Sequence, residues 1–232
     1  SDLDETFDIV AKEVSNVRDN VGLCEVNGFN RFEITGPDSQ SFIDRLFCGN
    51  ITHKPGRVGL GYLLNDFGMV KSEATIANIP ASDRGPNRMW YGSAAASEFH
   101  DMDWLSQHIN PDENVKIKSL TNDQTILIVA GPKAREVISA CSREDWSKEA
   151  FPWLSVRECF IGFSAVTIMS VSFSGELAYE VHVPNSSLYA VYLALSEVGK
   201  EFGMKLFGSR AVESMRMEKG FLVWKSDLLT EF

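Results

Sequence analysis

Apolar residues recur along this chain with two periods, and the switches between them outline its elements. From Thr6 to Val21 the spacing is helical, with Phe7, Val10, Val14 and Val17 on one face. Gly22–Val26 reads as a short strand, Asn27-Gly28 as a turn and Phe29–Thr35 as a second strand. Gly36-Pro37 ends that strand and opens a helix whose stripe is Phe42, Ile43, Leu46 and Phe47. Gly59–Leu64 and Met69–Ile79 read as the arms of a hairpin joined by Asn65-Asp-Phe-Gly68. Arg88–Gly92 is another strand. Ser97–Ile109 is a helix with Phe99, Met102, Leu105 and Ile109 at helical spacing.

The order then recurs. Gln124–Ala130 is a strand, Gly131-Pro132 punctuates it, and Lys133–Cys141 is a helix. A connecting segment, Ser142–Ser155, carries Trp146, Phe151 and Trp153. Arg157–Ile161 and Ala165–Ser172 are strands, Ser174-Gly175 is a turn, and Leu177–Val183 is a strand. Ser186 is the expected cap of a helix with Leu188, Val191, Tyr192, Leu195 and Val198 inward. Ser209–Lys219 is a last helix, capped by Ser209 and closed by Gly220. Each half thus runs strand, Gly-Pro, helix, hairpin, helix. That order predicts an internal duplication, although strand-Gly-Pro-helix is also a common local solution. The chain ends on Phe232 straight after a strand-like run from Phe221, which suggests that the natural protein continues.

Within Leu177–Val183, alternation puts Leu177, Tyr179 and Val181 on one face and Ala178, Glu180 and His182 on the other. A carboxylate half-buried on a sheet needs a partner. An arginine or lysine could supply it, or a ligand bearing two N–H donors; an exposed glutamate on a solvated face is the plainer alternative. Counting gives a second candidate. Glu180 follows the turn glycine Gly175 by five residues (180 − 175 = 5), and Glu73 follows Gly68 by five (73 − 68 = 5). If the halves are duplicates, these two carboxylates hold matching places and line one pocket. Taken alone, Glu73 reads as a solvated strand residue.

Composition narrows the function. The 232 residues, 44% hydrophobic with a net charge of −10, suit one large or two small globular domains, divided here as 1–115 and 116–232. With no basic run, nucleic acid and anionic membranes are poor partners. No apolar run reaches the ~18 residues of a membrane span. The acidic start is not a signal peptide, so a cytoplasmic location, or the mitochondrial matrix in a eukaryote, is expected. Cys24, Cys48, Cys141 and Cys159 form no C-x-x-C pair and read as buried free thiols. His53, His100, His108 and His182 lack metal-ligand spacing and read as ordinary surface or half-buried residues.

Several runs resemble one family. Phe207-Gly-Ser-Arg-Ala-Val-Glu-Ser-Met-Arg-Met-Glu-Lys-Gly-Phe221 with Trp224-Lys-Ser-Asp-Leu228 is similar to the helix signature of the aminomethyltransferase (glycine cleavage T-protein) superfamily. So are Leu64-Asn-Asp-Phe-Gly68, Ala95–Trp104, Phe151-Pro-Trp-Leu154 and Gly175-Glu-Leu-Ala-Tyr-Glu180. The resemblance is strongest to the folate half of dimethylglycine and sarcosine dehydrogenases. It implies an α+β fold of two pseudo-symmetric, ferredoxin-like halves around a central channel, without the family's C-terminal β-barrel. The expected cofactor is tetrahydrofolate. No G-x-G-x-x-G occurs, so FAD would be carried only by a separate domain or subunit. The implied partners are folate and a small amine or amine-derived substrate.

Carried over by position, Glu180 matches the carboxylate that grips the pterin, whose adjacent N3–H and 2-amino donors form a fork. Phe173 stands in the place of a family tyrosine beside the folate. Glu73 replaces the family's catalytic aspartate, two residues before Thr75 at a folate-contact position. Leu60 stands where T-proteins usually carry a folate-side tyrosine, and Val212 where they carry an arginine. These departures lean towards the dehydrogenase-type domain. The expected reaction is transfer of a methylene unit from an amine-derived iminium to give methylene-tetrahydrofolate. A folate-dependent demethylase or methyltransferase is an alternative. So is a non-catalytic maturation module, against which stands Lys219-Gly-Phe-Leu-Val-Trp-Lys225, where such proteins have a cysteine.

Overall fold

The computed structural model describes residues 2–49 and 51–228. In chain order its elements are α1 (Asp2–Asp19), β1 (Gly22–Val26), β2 (Phe29–Thr35), α2 (Ser39–Leu46), β3 (Phe47–Cys48), β4 (Arg57–Leu64), β5 (Val70–Ile79), β6 (Arg88–Ala94) and α3 (Glu98–Gln107). They continue as β7 (Lys116–Ser119), β8 (Gln124–Ala130), α4 (Ala134–Cys141), β9 (Val156–Ile161), β10 (Ser164–Met169), β11 (Ala178–Pro184), α5 (Leu188–Gly199), β12 (Lys205–Leu206) and α6 (Ser209–Lys219). Single 3-10 turns at Ala95–Ser97 and Asn185–Ser187 lead into α3 and α5. No helix among the described residues is long and apolar enough to cross a membrane.

The strands form two mixed α/β layers, one per compact unit. One unit joins the residues up to Val26 with Gln124–Phe221, and the other joins Asn27–Asp123 with the residues from Leu222. The first holds the sheet β12-β1-β8-β11-β10-β9, and the second holds β3-β4-β5-β6-β2-β7. The units therefore follow the sheets and not the chain midpoint. β1 leaves the neighbourhood of β2 to pair with β8, and β7 leaves that of β8 to pair with β2.

Read in parallel, β7-β2-β6-β5-β4 and β1-β8-β11-β10-β9 have the same antiparallel neighbours. β2 and β8 end alike. Gly36 (φ 112°) and Gly131 (φ 131°) occupy backbone that disfavours side chains. A Cβ on Gly36 would lie 2.0 Å from the Asn114 carbonyl oxygen, and one on Gly131 would lie 2.5 Å from the Asn20 and Val17 carbonyls. In each case proline follows, and α2 or α4 begins at once.

This order corrects the match between the two glutamates. Glu180 lies on β11, opposite Ile128, three residues before Gly131. The corresponding residue of the other sheet is Trp90 on β6, opposite Glu33, three residues before Gly36. Glu73 lies one strand further out, on β5. The shared spacing reflects the turns: Gly68 (φ 78°) and Gly175 (φ 79°) are both left-handed, and any tight hairpin can begin with such a glycine.

Each sheet buries one face under helices. In the first unit Leu23, Leu127, Val129, Ile168, Tyr179, Val181 and Val183 pack with α4, α5, Trp146 and Phe151. In the second, Phe32, Ile34, Ala74, Ile76, Met89 and Tyr91 pack with Phe42, Ile43 and Leu105. The expected helix faces need amendment. Phe7 and Phe99 are 73% and 88% exposed, and Cys48 is exposed as well. No Ser186 or Ser209 side chain caps a helix; the N-terminus of α6 is held by Glu13 of α1, which accepts from the Gly208 N–H at 2.9 Å. Trp224–Leu228 forms a small bridged turn and not a strand, and 229–232 lie outside the described residues.

The inward place on α3 is taken by Asp101, which is fully buried. Its Oδ2 accepts from Ser72 Oγ (3.0 Å), Ser93 Oγ (2.5 Å), Ser97 Oγ (3.0 Å) and the Tyr91 hydroxyl, and Oδ1 meets His100 Nδ1 at 2.8 Å. Burial, then the adjacent Asp101 charge, pushes the Tyr91 phenol well above its ordinary pKa. The cluster ties α3 to β5 and β6. Asp101→Ala strands several buried hydroxyls and is expected to cost about 3–5 kcal/mol, whereas Ser97→Ala costs about 1 kcal/mol. Urea denaturation of both variants checks the difference.

Candidate functional site

The turn between β10 and β11 builds the first part of the site. Ser172 Oγ accepts the Gly175 N–H at 3.0 Å, and Ser174 Oγ accepts that of Glu176 at 3.4 Å. Gly175 also lies under the aliphatic stem of Lys219, where a Cβ would come within 2.2 Å. The turn is thereby pinned at the mouth of a small, open hollow. Its lining includes Ile128, Phe173, Glu180, Phe207 and Val212. Phe173 stacks on Phe221, with centroids 6.4 Å apart and planes at 20°. Phe221 is held in turn by Arg216, whose Nη1 donates to the Phe221 carbonyl at 2.9 Å while the guanidinium pairs with Glu213.

Glu180 stands between Ile128 on β8 and Met169 on β10, on the face turned away from the helix-covered core. Its side chain is 16% exposed. Among the described residues neither lysine nor arginine pairs with it. Its partner is His182 on the same strand, 1% exposed, with Nε2 3.2 Å from Oε2. The protein's own partner is thus a histidine in place of the expected lysine or arginine, and His182 is buried, not an ordinary surface or half-buried residue. The signal was present in the sequence, since residues two apart on a strand share a face. A carboxylate set among apolar walls and beside an aromatic ring can accept a planar pair of donors.

In the other unit, Leu60, Thr75 and Glu73 share one face of the β4–β5 hairpin. Leu60 is opposite Thr75 and is 53% exposed. Across Thr75 on β6 is Gly92, whose missing Cβ leaves room for the Trp90 ring, 2.3 Å from where that atom would be. Glu73 is half-buried and paired across the ladder with Tyr62. Burial raises the Glu73 pKa, and a hydrogen bond from the Tyr62 hydroxyl opposes the rise. Burial, then the Glu73 charge, raises the Tyr62 phenol in turn. Lys71, the cation nearest in sequence, rests 3.4 Å above the Trp104 ring. Tyr62 is the partner that sequence reading missed, because it emerges only once the strand register is known.

The site residues therefore assemble as two groups, Glu180 with Phe173 in one unit and Glu73 with Thr75 and Leu60 in the other. Comparison with known proteins adds a family. Residues 3–232 match the GCVT N-terminal domain. The chain is 30% identical over 223 residues to mitochondrial dimethylglycine dehydrogenase of Rattus norvegicus, covering 96% of this chain and 25% of that protein. It is 33% identical over 217 residues to sarcosine oxidase subunit alpha of Rhizobium meliloti, covering 91% of this chain and 22% of the relative. It thus spans about a quarter of these relatives' length. In fold it is similar to the glycine cleavage system aminomethyltransferase T from Bartonella henselae, with a TM-score of 0.77 at 19% identity, covering 92% of this chain and 55% of that one.

The Tyr62 hydroxyl is the group that stabilises ionised Glu73, so its loss has a definite sign. Tyr62→Phe is expected to raise the Glu73 pKa further above the ordinary carboxylate range. Carbon-detected NMR titration of the Glu73 carboxyl reads the shift, and an unchanged or lower midpoint would refute the assignment.

Proposed function

The chain belongs to the GCVT N-terminal domain family, and from that premise we propose that it is the tetrahydrofolate-binding part of a one-carbon transferase. The reaction is acceptance of a methylene unit from an amine-derived iminium of the dimethylglycine or sarcosine type: the iminium's C–N bond breaks, two C–N bonds to tetrahydrofolate form, and the amine leaves protonated, giving methylene-tetrahydrofolate. The observation that carries this reading is Glu180: a carboxylate beside His182 in a hollow lined by Ile128, Val171, Phe173, Phe207 and Val212, with Ser172 and Ser174 at its turn. This largely apolar setting, with an aromatic ring beside the carboxylate, fits a flat heterocycle with adjacent N–H donors.

Tetrahydrofolate supplies the nucleophilic nitrogens that take up the one-carbon unit. Glu180 accepts the pterin's two donors, and Phe173 offers its ring for packing. Glu73 balances positive charge on the amine-derived carbon, an effect strengthened where water is excluded. Its raised pKa also lets it hold a proton nearer neutrality than an exposed glutamate does. Tyr62 fixes the carboxylate's direction, and Thr75 and Leu60 flank it on the same hairpin face. Glutamate in place of the family aspartate adds a methylene, which the cross-strand tyrosine restrains.

We read the shared strand order of the two sheets as a duplication in which corresponding strands took different tasks. The oxidation that yields the iminium, and any FAD it needs, we assign to another segment or subunit. The word "subunit" in the name of the Rhizobium relative supports such a partner.

Glu180→Ala is expected to weaken tetrahydrofolate binding by roughly ten- to a hundred-fold; an unaltered Kd by calorimetry would reject the pterin role. Glu73→Gln in the full-length protein should leave that Kd unchanged and slow methylene-tetrahydrofolate formation on the order of a hundred-fold. Normal turnover with normal binding would make the chain a folate-binding module without chemistry at Glu73.

A further inference from the structure

We infer that His182 is a positioning residue that holds the Glu180 carboxylate ready for its ligand. The inference rests on the reading of Glu180 as the group that binds the pterin, and it adds a residue to that reading. Four observations carry it. The two side chains leave one face of β11, two residues apart. The imidazole is 1% exposed, set opposite Ile126 on β8 and Thr167 on β10. Its Nε2 lies 3.2 Å from Glu180 Oε2. Among the described residues, no other side chain bonds to that carboxylate.

The physical role follows from what a glutamate lacks by itself. It has three side-chain torsions to fix on binding, and a ligand that finds them already fixed is spared that entropy. An N–H from a buried ring fixes them at one end. Oε2 keeps a second lone pair and Oε1 keeps both, so the histidine bond leaves enough acceptor sites for two ligand donors. Ile128, Val171, Phe173, Phe207 and Val212 crowd the carboxylate and limit the rotamers it can adopt.

The atom that matters is Nε2, which separates two polar replacements. A glutamine amide nitrogen sits about where Nε2 does, whereas an asparagine amide falls short, nearer Nδ1. Leucine keeps bulk and has no donor. The experiment titrates tetrahydrofolate by calorimetry into the full chain and into its His182→Gln, His182→Asn and His182→Leu variants. The leucine variant is repeated in a Glu180→Ala background, and melting temperatures are recorded throughout. His182→Gln is expected to bind within about three-fold of the unaltered chain, and His182→Asn and His182→Leu about ten-fold more weakly or worse. Once Glu180 is gone, His182→Leu should add no further loss.

Equal affinities for the glutamine and asparagine variants would overturn the inference. So would a loss from His182→Leu that persists in full without Glu180, since that pattern belongs to general destabilisation. If leucine does not fold, the glutamine–asparagine comparison decides alone. Failure of the unaltered chain to bind tetrahydrofolate overturns the folate reading and this inference with it; binding that is lost in Glu180→Ala but indifferent to position 182 overturns only this one.

Discussion

A carboxylate taken out of water on a β-sheet must be given donors or give up its charge, and this molecule meets that constraint three times. Asp101 receives hydroxyls from two strands and its own helix turn, with His100 alongside. Glu73 receives one phenol across the ladder. Glu180 receives one imidazole along its own strand. The number of donors separates their roles. Asp101 is saturated, and its business is to fasten α3 to β5 and β6. The two glutamates are under-supplied, each keeping acceptor capacity on a sheet face free of the helix-packed core. A buried group with capacity to spare is what a binding site requires and what a core avoids.

The surroundings of the two glutamates differ. Glu180 is walled mainly by aliphatic and aromatic side chains, and its turn is pinned by the hydroxyls of Ser172 and Ser174, which also line the hollow, and by the close approach of Lys219 over Gly175. That is a rigid seat, suited to recognition. Glu73 has a shifted pKa set by burial against one hydrogen bond, and its nearest cation in sequence is held on Trp104. That balance is sensitive to small changes, which suits a group that meets changing charge during a reaction.

Much of the architecture was legible in the sequence because period and punctuation agree locally. Gly36-Pro37 and Gly131-Pro132 each end a strand and launch a helix through a backbone conformation that other residues resist. Alternation on β11 correctly assigned Tyr179 and Val181 to the core and Glu180 to the opposite face. The errors came where tertiary pairing decides. β7, a short strand whose apolar alternation is confined to Ile117 and the preceding Val115, is recruited by the open edge of β2. Phe99 sits outside on α3 because Asp101 holds the inward position. The Gly-to-Glu spacing suggested that Glu73 and Glu180 correspond, and only strand order shows Trp90 in that place. Tyr62 went unassigned because its partner is fixed only by the strand register, whereas the shared face of Glu180 and His182 was legible and its meaning was not drawn.

The exchange of β1 and β7 between sheets bears on how the polypeptide acquires its shape during synthesis. The β2–β7 sheet is continuous in the chain and can close as soon as its last strand leaves the ribosome. β1 is made earlier, yet its antiparallel neighbour β8 ends at Ala130, opposite Gly22, and β12 comes later still. An amphipathic helix and an unpaired strand must therefore wait through the translation of an entire sheet. The acidic residues of α1 and the single-residue polar interruption at Glu25 give that waiting segment some protection from premature association, against the exposed Leu3, Phe7 and Ile9.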